Sequence, residues 1–243
     1  MRNPNLNVMV FLAHVCILTN CGPNNQSEQH PAQVKVTGVM RKVMLNGDLT
    51  STIDLDTIAN KQHLFGIGPM ENLRGEILVN DGTAYGSTIG PDSSIQMVKT
   101  FNLKAPFFVY ANINEWKEYP LPDSVLTVPQ LDLFLDRFTT NKSRPFAFKI
   151  EGPIRSAKIH VVNLPLGFNI NSPGDAQIGQ VDYRVSDGEQ VEMIGFFSTD
   201  HRGIFTHHDT NVHIHLITNN EKIMGHLDEL QMGKGQVKLY LPE

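Results

Sequence analysis

Three histidines are spaced so that one hairpin would aim their imidazoles at a single point: His213 and His215 in Val212-His213-Ile214-His215-Leu216, and His226 in Met224-Gly225-His226. Residues two apart in a strand share a face, so His213 and His215 look the same way. Between the apolar runs lies Thr218-Asn219-Asn220-Glu221-Lys222, polar and rich in turn formers, which predicts a hairpin turn. A turn centred between Asn220 and Glu221 sets His215 opposite His226, and opposed residues in an antiparallel pair have Cβ atoms roughly 5 Å apart. Three neutral imidazoles at that separation suit Zn2+ or another divalent transition metal. With three protein ligands a coordination position stays open, as in catalytic sites, whereas structural zinc sites are closed by four. The plain alternative is chance: with 10 histidines in 243 residues, an isolated His-x-His on a half-buried strand is also packing or surface. The third histidine, at a matched cross-strand position, is what argues for a metal.

The elements that must carry these residues are mostly short alternating strands broken by Gly, Pro, Asn and Asp. Val34 to Val43 alternates and is broken at Asn46-Gly47-Asp48, and Asp54 to Lys61 is a short helix candidate. Strands are expected at 76–80, 82–87, 107–112, 146–151, 157–162, 179–184, 191–197, in the histidine hairpin and at 236–241. The clearest helix starts at Thr127, which makes a capping-box pair with Gln130, and Val128, Leu131, Phe134, Leu135 and Phe138 form its apolar face. The expected fold is α+β with mostly antiparallel or mixed β structure: two β-rich halves, 34–140 and a barrel-like 141–243 that holds the metal site, joined by this helix.

Composition narrows the function. A net charge of −5 and the lack of a Lys/Arg-rich run leave no electrostatic footprint for nucleic acid. Residues 1–21 read as a lipoprotein-type signal peptide: Arg2, the apolar stretch Val8 to Leu18, too short to span a bilayer, and Cys21 as the residue to be acylated. Asn20 departs from the small residue usual before that cysteine, and an ordinary cleaved signal or the hydrophobic start of a cytosolic protein are the alternatives. Residues 22–33 form a polar tether. Both cysteines, Cys16 and Cys21, fall in the leader, so the body has no disulfide and no thiolate ligand. The protein is therefore expected to be exported, on the periplasmic side of the membrane or at the cell surface, touching the membrane only through a lipid at Cys21. A homodimer is left open.

Several segments in order resemble the α-acetolactate decarboxylase family: Phe65-Gly66-Ile67-Gly68; Leu73-Arg74-Gly75-Glu76-Ile77 with Asp81-Gly82 and Tyr85; Phe146-Ala147-Phe148-Lys149-Ile150-Glu151-Gly152; Gly195-Phe196-Phe197; and the histidine hairpin. The resemblance runs from about Val39 to Leu230. It implies that His213, His215 and His226 bind zinc, that Glu76 faces the metal, and that Lys149 stands where the family has an arginine. It also implies a small-molecule substrate, a 2-hydroxy-3-oxo acid, and a lyase reaction: 2-hydroxy-2-methyl-3-oxobutanoate loses carbon dioxide to give acetoin. In that chemistry the metal is a Lewis acid for the enediolate, a cation orients the carboxylate and a carboxylic acid supplies a proton. Lys149 and Glu76 are the candidates for the last two roles.

The chain also departs from the family. Lysine keeps only the point charge of an arginine, with Arg144 and Arg155 as nearby substitutes. Arg74 stands where an acid is usual, and Pro69 where a hydroxyl often lies near the metal. The family's longer tail brings a glutamate to the site, and whether Glu243 takes its place is left open. Thr206-His207-His208-Asp209 is an addition: His207 shares the parity of His213, and the cluster is either an outer hydrogen-bonding layer, an extra ligand or a solvated loop. No Gly-x-Ser-x-Gly, P-loop or dinucleotide fingerprint occurs. Two functions remain: a metal-dependent decarboxylase, and a non-catalytic exported lipoprotein that keeps the family's site to bind a metal or ligand.

Overall fold

The computed structural model describes Met1 and residues 33–243 except 173 and 236. The leader and tether expected at 1–33, with Cys21, lie outside the described residues but for Met1 and Gln33. The body opens with β1 (Lys35–Gly38), α1 (Met40–Asn46), β2 (Ile53–Asp54), β3 (Leu64–Pro69), β4 (Glu76–Asn80), β5 (Thr83–Ile89), β6 (Ile95–Lys99), β7 (Lys104–Ala105) and β8 (Phe107–Asn112). It continues with β9 (Trp116–Tyr119), α2 (Val128–Phe138), β10 (Phe146–Val161), β11 (Val181–Val185), β12 (Gln190–Phe197), β13 (Val212–Thr218), β14 (Met224–Met232) and β15 (Lys238–Pro242).

The first sheet is antiparallel in the order β1-β8-β3-β4-β5-β6. Its central strands are buried on both faces, as their near-continuous apolar runs require. Ile77 and Val79 pack with Leu55, Leu103 and Phe108 on one face. Leu78, Phe65 and Ile67 on the other meet Ile194, Phe196 and Ile217 of the second sheet. Glu76 shares the parity of Leu78, so it also faces the second sheet.

In that second sheet β12, β13, β14 and β10 pair in turn, and β10 pairs back with β12. The result is a closed four-stranded barrel with no free edge among these strands. Closure depends on the 16 residues of β10, whose first half pairs with β12 and β15 and whose second half pairs with β14 and β11. The sequence suggests two strands here, 146–151 and 157–162; the chain instead runs through, with Gly152 at φ +138°. Phe148, Ile150, Met193, Ile214 and Leu216 fill the interior. Gly195 makes room for this packing, since a Cβ there would lie 2.2 Å from the Phe148 ring.

Helix α2 has the expected capping box between Thr127 and Gln130 and buries Leu131 and Leu135 against the barrel core. Phe138, at the end of its expected apolar face, is 41% exposed. Although β9 precedes α2, it pairs with β15 and so belongs to the second sheet. The divide between sheets therefore falls between Asn112 and Trp116 rather than at 140, and the described residues from 33 onward form one packed unit.

Two expectations fail locally. Alternation from Val34 to Val43 stops at Gly38, whose φ of +68° turns the chain, and α1 follows because Met40 and Val43 are buried one turn apart. Its first amides dock outside the helix, Met40 N–H on Ile204 O at 2.7 Å and Arg41 N–H on Gly203 O at 2.9 Å. The helix candidate at Asp54 to Lys61 is only a 3-10 turn, Leu55–Thr57, because Ile58 returns to extended backbone.

Candidate metal centre

The hairpin register pairs His215 with His226, Leu216 with Gly225 and Ile217 with Met224. Its turn closes through Glu221 N–H to Thr218 O at 2.7 Å and Thr218 N–H to Ile223 O at 3.0 Å. The first sheet grips the turn: Tyr85 Oη donates to Glu221 Oε1 at 2.8 Å, and Lys99 Nζ lies 2.6 Å from Glu221 Oε2. Asn80 Nδ2 adds a bond of 2.6 Å to Glu192 Oε2 on β12. These contacts fix the hairpin against the sheet that carries Glu76.

His213, His215 and His226 project from the barrel's outer face into the layer between the sheets, where they are 3%, 0% and 8% exposed. One nitrogen from each lies within 4.8 Å of the others, close enough to hold one metal ion. Nε2 of His213 and Nε2 of His215 are 3.2 Å apart. Burial drives all three imidazoles toward the neutral form: the pKa of His215 falls to about 3, and those of His213 and His226 go well below the usual histidine value, helped by neighbouring histidines. Neutral rings keep lone pairs available. The carbonyls of Phe205 and Ile77 oppose the shifts of His213 and His215, although neither ring's Nδ1 has a partner at full hydrogen-bond geometry. Buried imidazoles left short of partners, with converging nitrogens, fit a metal-binding role better than a packing one.

Glu76 joins the group from β4. It is 2% exposed, its Oε2 lies 3.6 Å from His215 Nε2, and its Oε1 accepts from Val162 N–H at 3.3 Å. Burial pushes its pKa up to about 8, against the lowering effect of His160 and the Val162 N–H. In the metal-free site burial thus favours the carboxylic acid form of Glu76 beside neutral imidazoles.

Lys149 is not brought to this group. It lies on the outer face of the barrel, opposite Ile194, which is in turn opposite His215. Its ammonium, however, leans toward the opposite neighbours of β10: it is paired with Glu151 and lies 4.8 Å from the Tyr240 ring centre and 5.8 Å from that of Trp116. Of the arginines near the family's segments, Arg155 is exposed on β10, while Arg144 and Arg74 are occupied. Arg144 is 2.9 Å from Asp136, and Arg74 donates to Leu164 O at 2.9 Å. Pro69 stands opposite Glu76. Glu243 is on the surface, 3.9 Å from Lys117 Nζ.

The sequence reading misses His160. It is the Cα partner of His226, its ring centre lies 4.7 Å away, and its Nδ1 is 2.8 Å from Asp228 Oδ1. Burial alone would lower its pKa, but the bond to Asp228 leaves it raised. His207 also packs on His226, with ring centres 5.1 Å apart, though from a loop, because β13 begins only at Val212. Strand parity is therefore not what places it there.

Residues 36–241 match the family model described as Alpha-acetolactate decarboxylase. Among solved structures, the α-acetolactate decarboxylase of Bacillus subtilis strain 168 aligns over 87% of this chain and 86% of its own, with TM-score 0.67 and 18% identity. The acetolactate decarboxylase of Bacillus subtilis subspecies spizizenii aligns over 87% of each chain, with TM-score 0.68 and 19% identity. A Staphylococcus aureus protein of unknown function, similar to α-acetolactate decarboxylase, covers 86% of this chain and 84% of its own at TM-score 0.66 and 17% identity. No curated protein sequence matches.

Proposed function

Because this chain belongs to the α-acetolactate decarboxylase family, we propose that it is a metal-dependent lyase that converts 2-acetolactate to acetoin and carbon dioxide. The observation that carries this reading is the convergence of three buried histidines with the buried carboxyl of Glu76, whose Oε2 lies 3.6 Å from His215 Nε2. His213, His215 and His226 would hold the ion, with Zn2+ expected and other divalent transition metals as substitutes. When bound, a divalent ion supplies Lewis-acid stabilisation of the negative charge that develops on the substrate's oxygens.

The chain's own groups supply the rest. Breaking the bond to the carboxylate sends its electron pair onto the adjacent ketone, giving an enediolate, and carbon dioxide leaves. Glu76 then gives its proton to carbon, and the carboxylate left behind takes one from solvent before the next turnover. The layer between the sheets excludes bulk water, which strengthens these electrostatic interactions. Val162 N–H fixes the orientation of the Glu76 carboxyl.

We further propose that the protein is exported as a lipoprotein acylated at Cys21, a reading supported by Arg2, the apolar stretch Val8 to Leu18 and a body without cysteine.

One observation favours a non-catalytic binding lipoprotein: Lys149, the cation implied by the resemblance, is already paired with Glu151. Acetoin formation from acetolactate separates the two readings. The metal-loaded protein should exceed the spontaneous rate and His213→Ala should not. Stoichiometric metal without acetoin above background would establish the binding protein instead.

A further inference from the structure

Two clefts lead toward the enclosed histidines, and they differ in charge. The first, about 440 Å³, runs along α2 and touches His207 and His226. Among the described residues its walls carry Asp132, Asp136, Asp209 and Asp228 and no lysine or arginine. The second, about 340 Å³, lies under α1 and touches His160, His207 and Val162. These are the two rings packed on His226 and the residue whose N–H holds Glu76. Among the described residues no carboxylate lines this second cleft, and Arg41 is its only lysine or arginine.

Arg41 is set there by the backbone. Its amide is fixed on Gly203 O at 2.9 Å, and its stem lies over Gly203, where an added Cβ would be 3.7 Å from Arg41 Cβ. The guanidinium groups of Arg74, Arg144 and Arg202 are all hydrogen-bonded. That of Arg41 has no partner among the described residues. Met44 and Leu45, on the same helix, add apolar wall.

We propose that the cleft under α1 is the entry and recognition chamber of the site, that its ligand is a small 2-hydroxy-3-oxo carboxylate, and that Arg41 captures the carboxylate. The inference rests on the decarboxylase reading for the identity of the anion. A singly charged anion is disfavoured in the other cleft, where Asp132 and Asp209 have no cationic side chain paired with them among the described residues, and is attracted by the unpaired guanidinium of Arg41. The apolar side of the chamber accepts the alkyl part of the substrate. Arg41 thus acts on capture and specificity rather than on bond breaking, and a charge in that position shows itself in salt dependence.

The test uses the metal-loaded, full-length protein and steady-state kinetics over a salt series. Arg41→Glu should raise KM about tenfold or more with kcat little changed, and Arg41→Lys should recover most of the loss. Added salt should lower the wild-type kcat/KM and leave that of Arg41→Ala nearly flat. Leu133→Trp, which narrows the acidic cleft, should leave KM unchanged. Metal content should be equal in all four variants, so that a collapsed site is recognised. An unchanged KM in Arg41→Glu, or a raised KM in Leu133→Trp, would overturn the proposal. If the wild type makes no acetoin, the decarboxylase reading fails by itself. Calorimetric binding of 2,3-dihydroxy-2-methylbutanoate to the zinc-loaded protein then decides about Arg41: about tenfold weaker binding in Arg41→Glu supports the chamber, and equal binding refutes it.

Discussion

Replacing Glu76 by glutamine keeps the shape of a protonated carboxyl and removes its ability to ionise, so metal-free Glu76→Gln should become progressively more stable than wild type as pH rises. The folded-state pKa of about 8 exceeds the usual carboxylate value of 4.5 because burial penalises the charge. The folded protein therefore holds this proton more tightly than the unfolded chain. Below pH 4.5 the group is protonated in both states and costs nothing; from there to about pH 8 the unfolded state alone ionises, and stability falls. One pKa unit corresponds to about 1.36 kcal/mol, so the gap between variant and wild type should widen by on the order of 1 to 2 kcal/mol between pH 6.5 and pH 8. For a body of this size that is a change of about 4 °C in the difference between the two melting temperatures. The depressed histidines also affect stability with pH, but they are common to both proteins and largely cancel in the difference. Thermal and urea denaturation of chelator-treated protein at the two pH values reads it directly. A gap that stays constant or narrows would show that burial does not hold the Glu76 proton in the metal-free fold.

Gly195→Ala should cost about 3 kcal/mol or more, read as a lower urea midpoint, because its Cβ would meet the Phe148 ring at 2.2 Å inside the barrel. Lys149→Met should leave metal content and acetoin rate unchanged while lowering stability by at most about 1 kcal/mol, since its ammonium is paired with Glu151 at the barrel's outer face. A lost rate with metal retained would instead give Lys149 the orienting role that the sequence suggests. Thr127→Ala should cost about 1 kcal/mol by removing the cap that starts α2, measured by thermal denaturation.

What could be read from the sequence was local. The hairpin was legible because its turn and both histidine strands lie within one short segment, so counting from the turn centre gives the observed partners. The capping box at Thr127 was legible for the same reason. Glu76 needed the ordered family segments, because nothing in its own strand shows that the face it shares with Leu78 packs against the barrel. His160 needed the pairing of β10 with β14, a register between segments far apart in the chain. The direction in which Lys149 leans was also hidden, since it depends on aromatic rings supplied by β15 and β9. Alternation in Val34 to Val43 misled because Gly38 and the docking of α1 on Gly203 and Ile204 override a weak strand pattern with tertiary contacts.

The central claim is that His213, His215 and His226 together hold one divalent ion, and metal analysis of the purified protein after dialysis against Zn2+ tests it most directly. Wild type should retain one equivalent, and His215→Ala, which removes a nitrogen from a group that spans 4.8 Å, should retain almost none while still folding. No retained metal in the wild type, or a full equivalent in His215→Ala, would contradict the account.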